Sequence, residues 1–425
     1  MCRLFYSRAL SPAAFVLAAV GLTVCVYGKS LAAERFGSIS GVVNIDFAAQ
    51  QLSAKLKYDY ISTEANQNAI RLYLNEAFAV RKVTCGLCLS FNFEPHAKPN
   101  PSLLINLKRP LANGERLSLQ IEYDGSLKGI YRPDYKFLEL GLDYFWYPIH
   151  QDIGNFNFMY ELTVHTDEPN FQLISNGRVS SQGHDWKVKS RVPDFDIDIV
   201  LAVDLKFSRY QQGGYNLQVV SRNMPDGASA TLLNSMKETL DFYNSCFGAS
   251  DPQREVTGVF RPFLEPQFGY FRKGYFILPE TQDVKNILFA VSHELSHYWW
   301  LKAGQQQAWL NESFAEYCAM LFLRRSQGTE PFQKMLEDKR KRSVDLPAVY
   351  DFDRTKNRQA APGVLYRKGV VKLSELETEL GEERFMDFLR VVAQARVRDT
   401  NSLIELLAKF SSREVADRFL QSLKK

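Results

Sequence analysis

Three residues between positions 291 and 300, His293, Glu294 and His297, follow the order H-E-x-x-H. Any fold this chain adopts must therefore hold a helix with a polar, inward-facing stripe. Side chains four apart on a helix stand one turn above each other, so both imidazoles can reach a single metal ion. Glu294, beside the first of them, is placed to take a proton from a water activated at that metal and to pass it to a leaving group. The surroundings favour a helix, with Asp283 as a candidate N-cap and an apolar stripe of Ile287, Leu288, Val291, Leu295 and Tyr298.

Zinc sites built this way use two histidines and one carboxylate and keep a position open for water. The next segment, Trp309-Leu-Asn-Glu-Ser-Phe-Ala-Glu316, offers two carboxylates, Glu312 and Glu316. They lie one turn apart on a second predicted helix, 311–325, so either can approach the same ion. With Asn311 as N-cap, Glu312 falls in the first turn, where the helix dipole favours its ionised form. Glu316 is then a supporting carboxylate or a solvated one.

With 45% apolar residues and 30 phenylalanines, the chain can build a large core and more than one domain. The first eight residues are short and basic, 12–27 is apolar, and Ser30-Leu31-Ala32-Ala33 supplies small residues for cleavage. Residues 1–33 thus read as a secretory signal peptide, placing the mature chain in the periplasm or outside the cell; a retained membrane anchor with an extracytoplasmic catalytic domain is the alternative. Removing Arg3, Arg8 and Lys29 lowers the formal charge from +4 to +1, and nothing in that balance points to nucleic acid as a partner. The mixed run Glu337-Asp-Lys-Arg-Lys-Arg-Ser343 reads as a solvated helix end. Cys85 and Cys88 form either a local disulfide or two thiols; Cys318, on the second predicted helix, reads as a core residue.

Residues 34–224 read as a β-rich domain. Short, partly alternating runs at 52–58, 69–73, 103–107, 116–123, 157–164 and 173–177, bounded by Asn, Gly and Pro, favour a β-sandwich-like assembly. From 225 to 425 the pattern turns helical: an amphipathic helix at 228–247, an aromatic strand at 269–278, the two metal helices, then helices at 329–341, 365–380 and 382–395. The fold class is α+β, and the strand beside the metal could pair with an extended peptide.

These motifs resemble the gluzincin metallopeptidases of the aminopeptidase N family. There the two histidines and the glutamate of a W-L-N-E motif bind Zn2+, which implies His293, His297 and Glu312 here. Tyr366, in Leu365-Tyr-Arg-Lys-Gly369, resembles the family's Y-x-K-G tyrosine, which implies a hydroxyl donating to the oxyanion. Trp146-Tyr-Pro148, Ser175-Asn-Gly177 and Leu380-Gly-Glu-Glu-Arg-Phe385 resemble weaker recurring features of the same family. The resemblance implies a thermolysin-like, mainly helical zinc peptidase domain, with Glu294 and Tyr366 catalytic and peptides or proteins as substrates.

The sequence departs from that pattern in three places. Fourteen residues separate His297 from Glu312, four fewer than in the family, and unchanged spacing would select Glu316. The G-x-M-E-N segment, whose glutamate pairs with a substrate's α-amine, is replaced by Phe268-Gly-Tyr-Phe-Arg-Lys-Gly274. Strict aminopeptidase action then requires another carboxylate, such as Glu280 or one from the β domain. Arg272 and Lys273 would attract an acidic side chain or a C-terminal carboxylate, or lie on a solvated strand. The family's large C-terminal helical domain also has no counterpart, because 40 residues follow Phe385. The competing class is a binding module that keeps the peptidase fold without catalysis, but such a chain would be expected to lose a ligand or Glu294, and it keeps both.

Overall fold

A computed structural model describes residues 37–151, 156–183, 185–248, 251–262, 269–301 and 303–425. The segment 1–33 and Phe268 lie outside the described residues. Among those described, no helix is long and apolar enough to cross a membrane.

Alternation of side chains builds the first half. In the strand Gln51–Ile61, Leu52, Ala54, Leu56, Tyr58 and Tyr60 are buried, whereas Gln51, Lys55 and Lys57 are exposed. That two-residue period buries one face of a sheet. The strand is second from the centre of a seven-stranded sheet ordered 178–182, 185–189, 158–166, 37–46, 51–61, 116–126 and 78–84. Gly37–Asp46 runs parallel to Phe158–Thr166, and every other pairing in the sheet is antiparallel.

A four-stranded sheet, ordered 88–94, 102–111, 67–73 and 149–150, shares a core with it: Leu56 and Tyr58 from one side, Ile70, Leu103 and Ile105 from the other. The chain is thus an N-terminal β-rich assembly followed by a largely helical region, the α+β arrangement expected, and each of the six predicted strand runs overlaps an observed strand. Cys85 and Cys88 form a disulfide, Cα atoms 5.2 Å apart, in the turn where the chain passes from Phe78–Thr84 in the larger sheet to Cys88–Glu94 in the smaller.

The second half rests on a five-stranded sheet ordered 206–210, 216–221, 255–261, 275–279 and 270–272, which takes strands from both sides of residue 224. Its parallel strands, Asn216–Ser221, Glu255–Arg261 and Tyr275–Pro279, are mostly buried. The helix Ala228–Phe247 connects the first two, as parallel neighbours require.

The run 269–278, expected to be one strand, is instead a hairpin of Tyr270–Arg272 and Tyr275–Pro279. Gly274, at φ 74°, makes the reversal in a backbone region that β-branched and aromatic residues avoid. The short strand Tyr270–Arg272 is therefore the edge of the sheet, next to the helix Leu288–Trp300. Helices Thr329–Lys341 and Glu382–Ala395 fall on their expected bounds. Thr400–Phe410 and Arg413–Leu423 add two more at the C-terminal end, capped by Asp399 and Ser412.

Candidate metal centre

The histidine helix, Leu288–Trp300, is entered through a 3-10 turn, Val284–Ile287, whose first free amide, Lys285 N–H, is accepted by Asp283 at 3.1 Å. Val291, Leu295 and Trp299 pack it into the helical core, and His293, Glu294 and His297 are buried with them. The glutamate helix begins earlier than Asn311, at Ala308, and runs to Gln327. Asn311 is not its cap. Its side chain instead accepts from Ala303 N–H at 3.0 Å and donates to the Ala303 carbonyl at 2.8 Å, fixing the link between the two helices. Cys318 is a buried core thiol of this helix, as its pattern indicated.

The two helices bring three donors together. Glu312 Oε2 lies 3.7 Å from His293 Nε2 and 3.6 Å from His297 Nε2, and one donor atom from each residue falls within 4.8 Å of the others. Metal–ligand bonds of about 2.0–2.1 Å place tetrahedral neighbours about 3.4 Å apart, close to the two Glu312–imidazole separations. Glu294 Oε2 is buried without a hydrogen-bond partner among the described residues. A Cβ at Gly269, where the edge strand approaches, would lie 2.7 Å from Glu294 Oε1. An orphaned carboxylate oxygen beside three converging donors fits a metal and its water.

Glu316 stands behind this set, with Oε2 2.8 Å from His293 Nδ1. The interval from His297 thus brings the imidazoles against Glu312 on one side and leaves Glu316 on the far side of one ring. Tyr366 lies in a five-residue π-turn, Val364–Lys368, and its hydroxyl donates to Glu312 Oε2 at 2.8 Å. Such turns widen a helix locally and recur at functional sites.

Burial pushes the Glu294 carboxyl up to about 7, opposed by the His293 charge and reinforced by Glu312. Burial also lowers His297, to about 4. For His293 burial acts downward too, but hydrogen bonds to Glu312 and Glu316 outweigh it and hold the imidazole at about 10. Glu312, despite burial, is drawn down to about 2 by His293 and His297. Burial and the Glu312 charge push the Tyr366 hydroxyl up, so it remains a donor.

The basic residues of the edge hairpin are engaged within the protein, Arg272 buried and Lys273 half-buried. Arg272 is 7% exposed, 2.7 Å from Asp196 and 3.4 Å from Asp198, and its guanidinium covers the Tyr270 ring. Lys273 donates to the Pro193 carbonyl. Glu280 is occupied as well, accepting the Arg222 and Asn223 amides. The signal for Arg272 lay in Asp196 and Asp198, alternate residues of a distant segment whose proximity no local pattern reveals. Arg272→Met would leave two buried aspartates without their counter-charge, and a loss of about 3–5 kcal/mol is expected in denaturant unfolding. An unchanged midpoint would show that other groups compensate them.

Residues 274–422 match the profile of the Peptidase family M1 domain, so this region is homologous to the M1 zinc metallopeptidases. No curated protein sequence matches the chain. The fold is similar to that of an M1 zinc metallopeptidase from Deinococcus radiodurans, at 18% identity and a TM-score of 0.68, over 92% of this chain and 94% of that one. A mutant from the same organism, described as bound to Tyr-Ser-Ala substrate, superposes with a TM-score of 0.71 at 16% identity, covering 91% and 94% of the two chains. Yeast LTA4 hydrolase is similar over 90% of this chain and 66% of its own, with 15% identity and a TM-score of 0.70.

Proposed function

We propose that this chain is a zinc-dependent hydrolase of peptide bonds, with His293, His297 and Glu312 as ligands, Glu294 as acid and base, and Tyr366 as oxyanion donor. The observation that carries this reading is the convergence of two buried imidazoles and the half-buried Glu312 carboxylate beside Glu294, whose Oε2 has no hydrogen-bond partner among the described residues. Zinc, when bound, supplies Lewis acidity that polarises a carbonyl and acidifies water. Glu294, raised towards neutrality, is matched to accept a proton from the attacking water and return it to the departing amine. Tyr366 keeps its proton and directs it at the developing oxyanion. Glu316 holds His293 through Nδ1 and leaves Nε2 facing the donor set, where a bound zinc would take the place of its proton.

Peptides are supported as the substrate class by the Tyr-Ser-Ala ligand of the similar Deinococcus enzyme and by the edge strand Tyr270–Arg272, which can pair with an extended backbone. Within the broader family, we place the chain near the aminopeptidase N pattern but without its dependence on a free amine. Glu280 is committed to backbone amides and the hairpin's charges, Arg272 and Lys273, are themselves cations, so neither supplies an ammonium site. The basic-then-apolar pattern of 1–33 supports a location outside the cytoplasm for a mature chain of 34–224 followed by 225–425.

Purified protein incubated with matched free-amine and N-blocked peptides, with and without chelator, tests this reading. Chelator-sensitive cleavage of both kinds is expected. Strict dependence on a free amine would restore the aminopeptidase reading, and cleavage of neither by zinc-loaded protein would leave a binding module.

A further inference from the structure

Lys339 belongs to the run that reads as solvated charge, and its neighbours behave that way: Lys341 pairs with Glu337 and Arg342 with Asp338 on the surface. Lys339 does not. It falls seven residues after Phe332 and three after Leu336 on the buried stripe of Thr329–Lys341, and only 9% of it is exposed. Its ammonium donates to Glu316 Oε1 at 2.5 Å and to the Tyr366 carbonyl at 2.9 Å.

One charge thus touches both halves of the centre. On one side, Glu316 links it to His293 Nδ1. On the other, it holds the main chain of the residue whose hydroxyl meets Glu312. The preceding carbonyl of the same π-turn, that of Leu365, accepts from Ser313 Oγ at 2.6 Å. The turn is therefore fixed from outside by two side chains on two helices. A buried lysine is expensive unless paired, and Glu316 would otherwise add an uncompensated charge beside Glu294 and Glu312.

We infer that Lys339 is a positioning residue that sets the metal histidine and the Tyr366 hydroxyl in one register, by bridging Glu316 and the π-turn backbone. This rests on the hydrolase reading for its catalytic half only, because the His293 half concerns metal affinity. Through Glu316 it orients the imidazole of a ligand. Through the carbonyl it fixes where the Tyr366 side chain leaves the helix.

The test measures two quantities, zinc dissociation by competition with a chromogenic chelator and kcat with KM on a cleaved peptide, for wild type and Lys339→Met in three backgrounds. In the parent background, Lys339→Met is expected to weaken zinc about tenfold and to lower kcat about tenfold with KM little changed. With Glu316→Gln present, the zinc effect of Lys339→Met should vanish while the kcat effect persists. With Tyr366→Phe present, the zinc effect should persist and the kcat effect vanish. Equal effects in all backgrounds, or none in any, would overturn the bridge, since a side chain that merely packs shows no such partition.

If Lys339→Met does not fold, Lys339→Arg replaces it. Its planar fork can hold Glu316 without also holding the Tyr366 carbonyl, so zinc affinity near wild type with a lowered kcat is expected, and a wild-type kcat overturns the inference. Wild-type protein that binds zinc but cleaves nothing would sink the hydrolase reading alone, and the chelator competition would still decide the role of Lys339.

Discussion

Glu294→Gln is expected to lower kcat by about 10²–10⁴-fold while the protein keeps its zinc. The amide preserves shape and removes the carboxylate that would accept a proton from water there. Zinc content should not change, because the converging atoms come from His293, His297 and Glu312. Stability is expected to hold or rise. Burial raises Glu294 from an ordinary carboxylate value to about 7, so the folded chain binds this proton more tightly than the unfolded one. The contribution is therefore present at low pH and is lost as pH climbs through about 7, where an ionised, desolvated carboxylate weighs on the fold. The glutamine variant should lack that decline. Kinetics and zinc analysis on the loaded proteins, and thermal melts at pH 5 and pH 8 on the zinc-free ones, check all three points, because a bound cation would itself hold the carboxylate ionised. A variant with near-parental kcat would remove Glu294 from the chemistry.

Glu312→Gln should separate the two carboxylates of the second helix. Its Oε2 faces both imidazole Nε2 atoms and accepts the Tyr366 hydroxyl. If Glu312 is the third ligand as proposed, its loss is expected to weaken zinc by more than about 100-fold, with activity falling in step. Glu316→Gln removes only the group behind His293, for which losses of about 10–100-fold are typical of such supporting contacts. Excess zinc should therefore rescue Glu316→Gln more readily than Glu312→Gln. The opposite order would make Glu316 the ligand, as the family's usual spacing suggests, and would require the glutamate helix to slide by about one turn, roughly 6 Å, along its axis from its position here.

Much of this architecture can be read from short-range pattern. The burial of Leu52, Ala54, Leu56, Tyr58 and Tyr60 follows from a two-residue period, and Asp283 caps the entry to the histidine helix because its side chain suits the first free amide. Other features resist that kind of reading. Asn311 has good capping chemistry yet is used to tie Ala303, since the apolar demands of Ala308, Trp309 and Leu310 extend the helix backwards. Arg272 reads as a surface charge until Asp196 and Asp198, more than seventy residues away, come against it. Lys339 carries a partial signal, its place on the stripe of Phe332 and Leu336, which the charges on either side obscure.

By itself the sequence determined that two imidazoles and a carboxylate would share a helix, and that a second helix bearing Glu312 and Glu316 would follow, because one-turn spacing is a property of the local backbone. Only the tertiary structure decided which glutamate faces the imidazole Nε2 atoms, which stands behind His293, and that Lys339 joins it to the turn of Tyr366. Those choices depend on how helices far apart in the chain are set against one another by the packing of Val291, Leu295, Phe314 and Leu336 in one core. No periodicity within a single element encodes that placement.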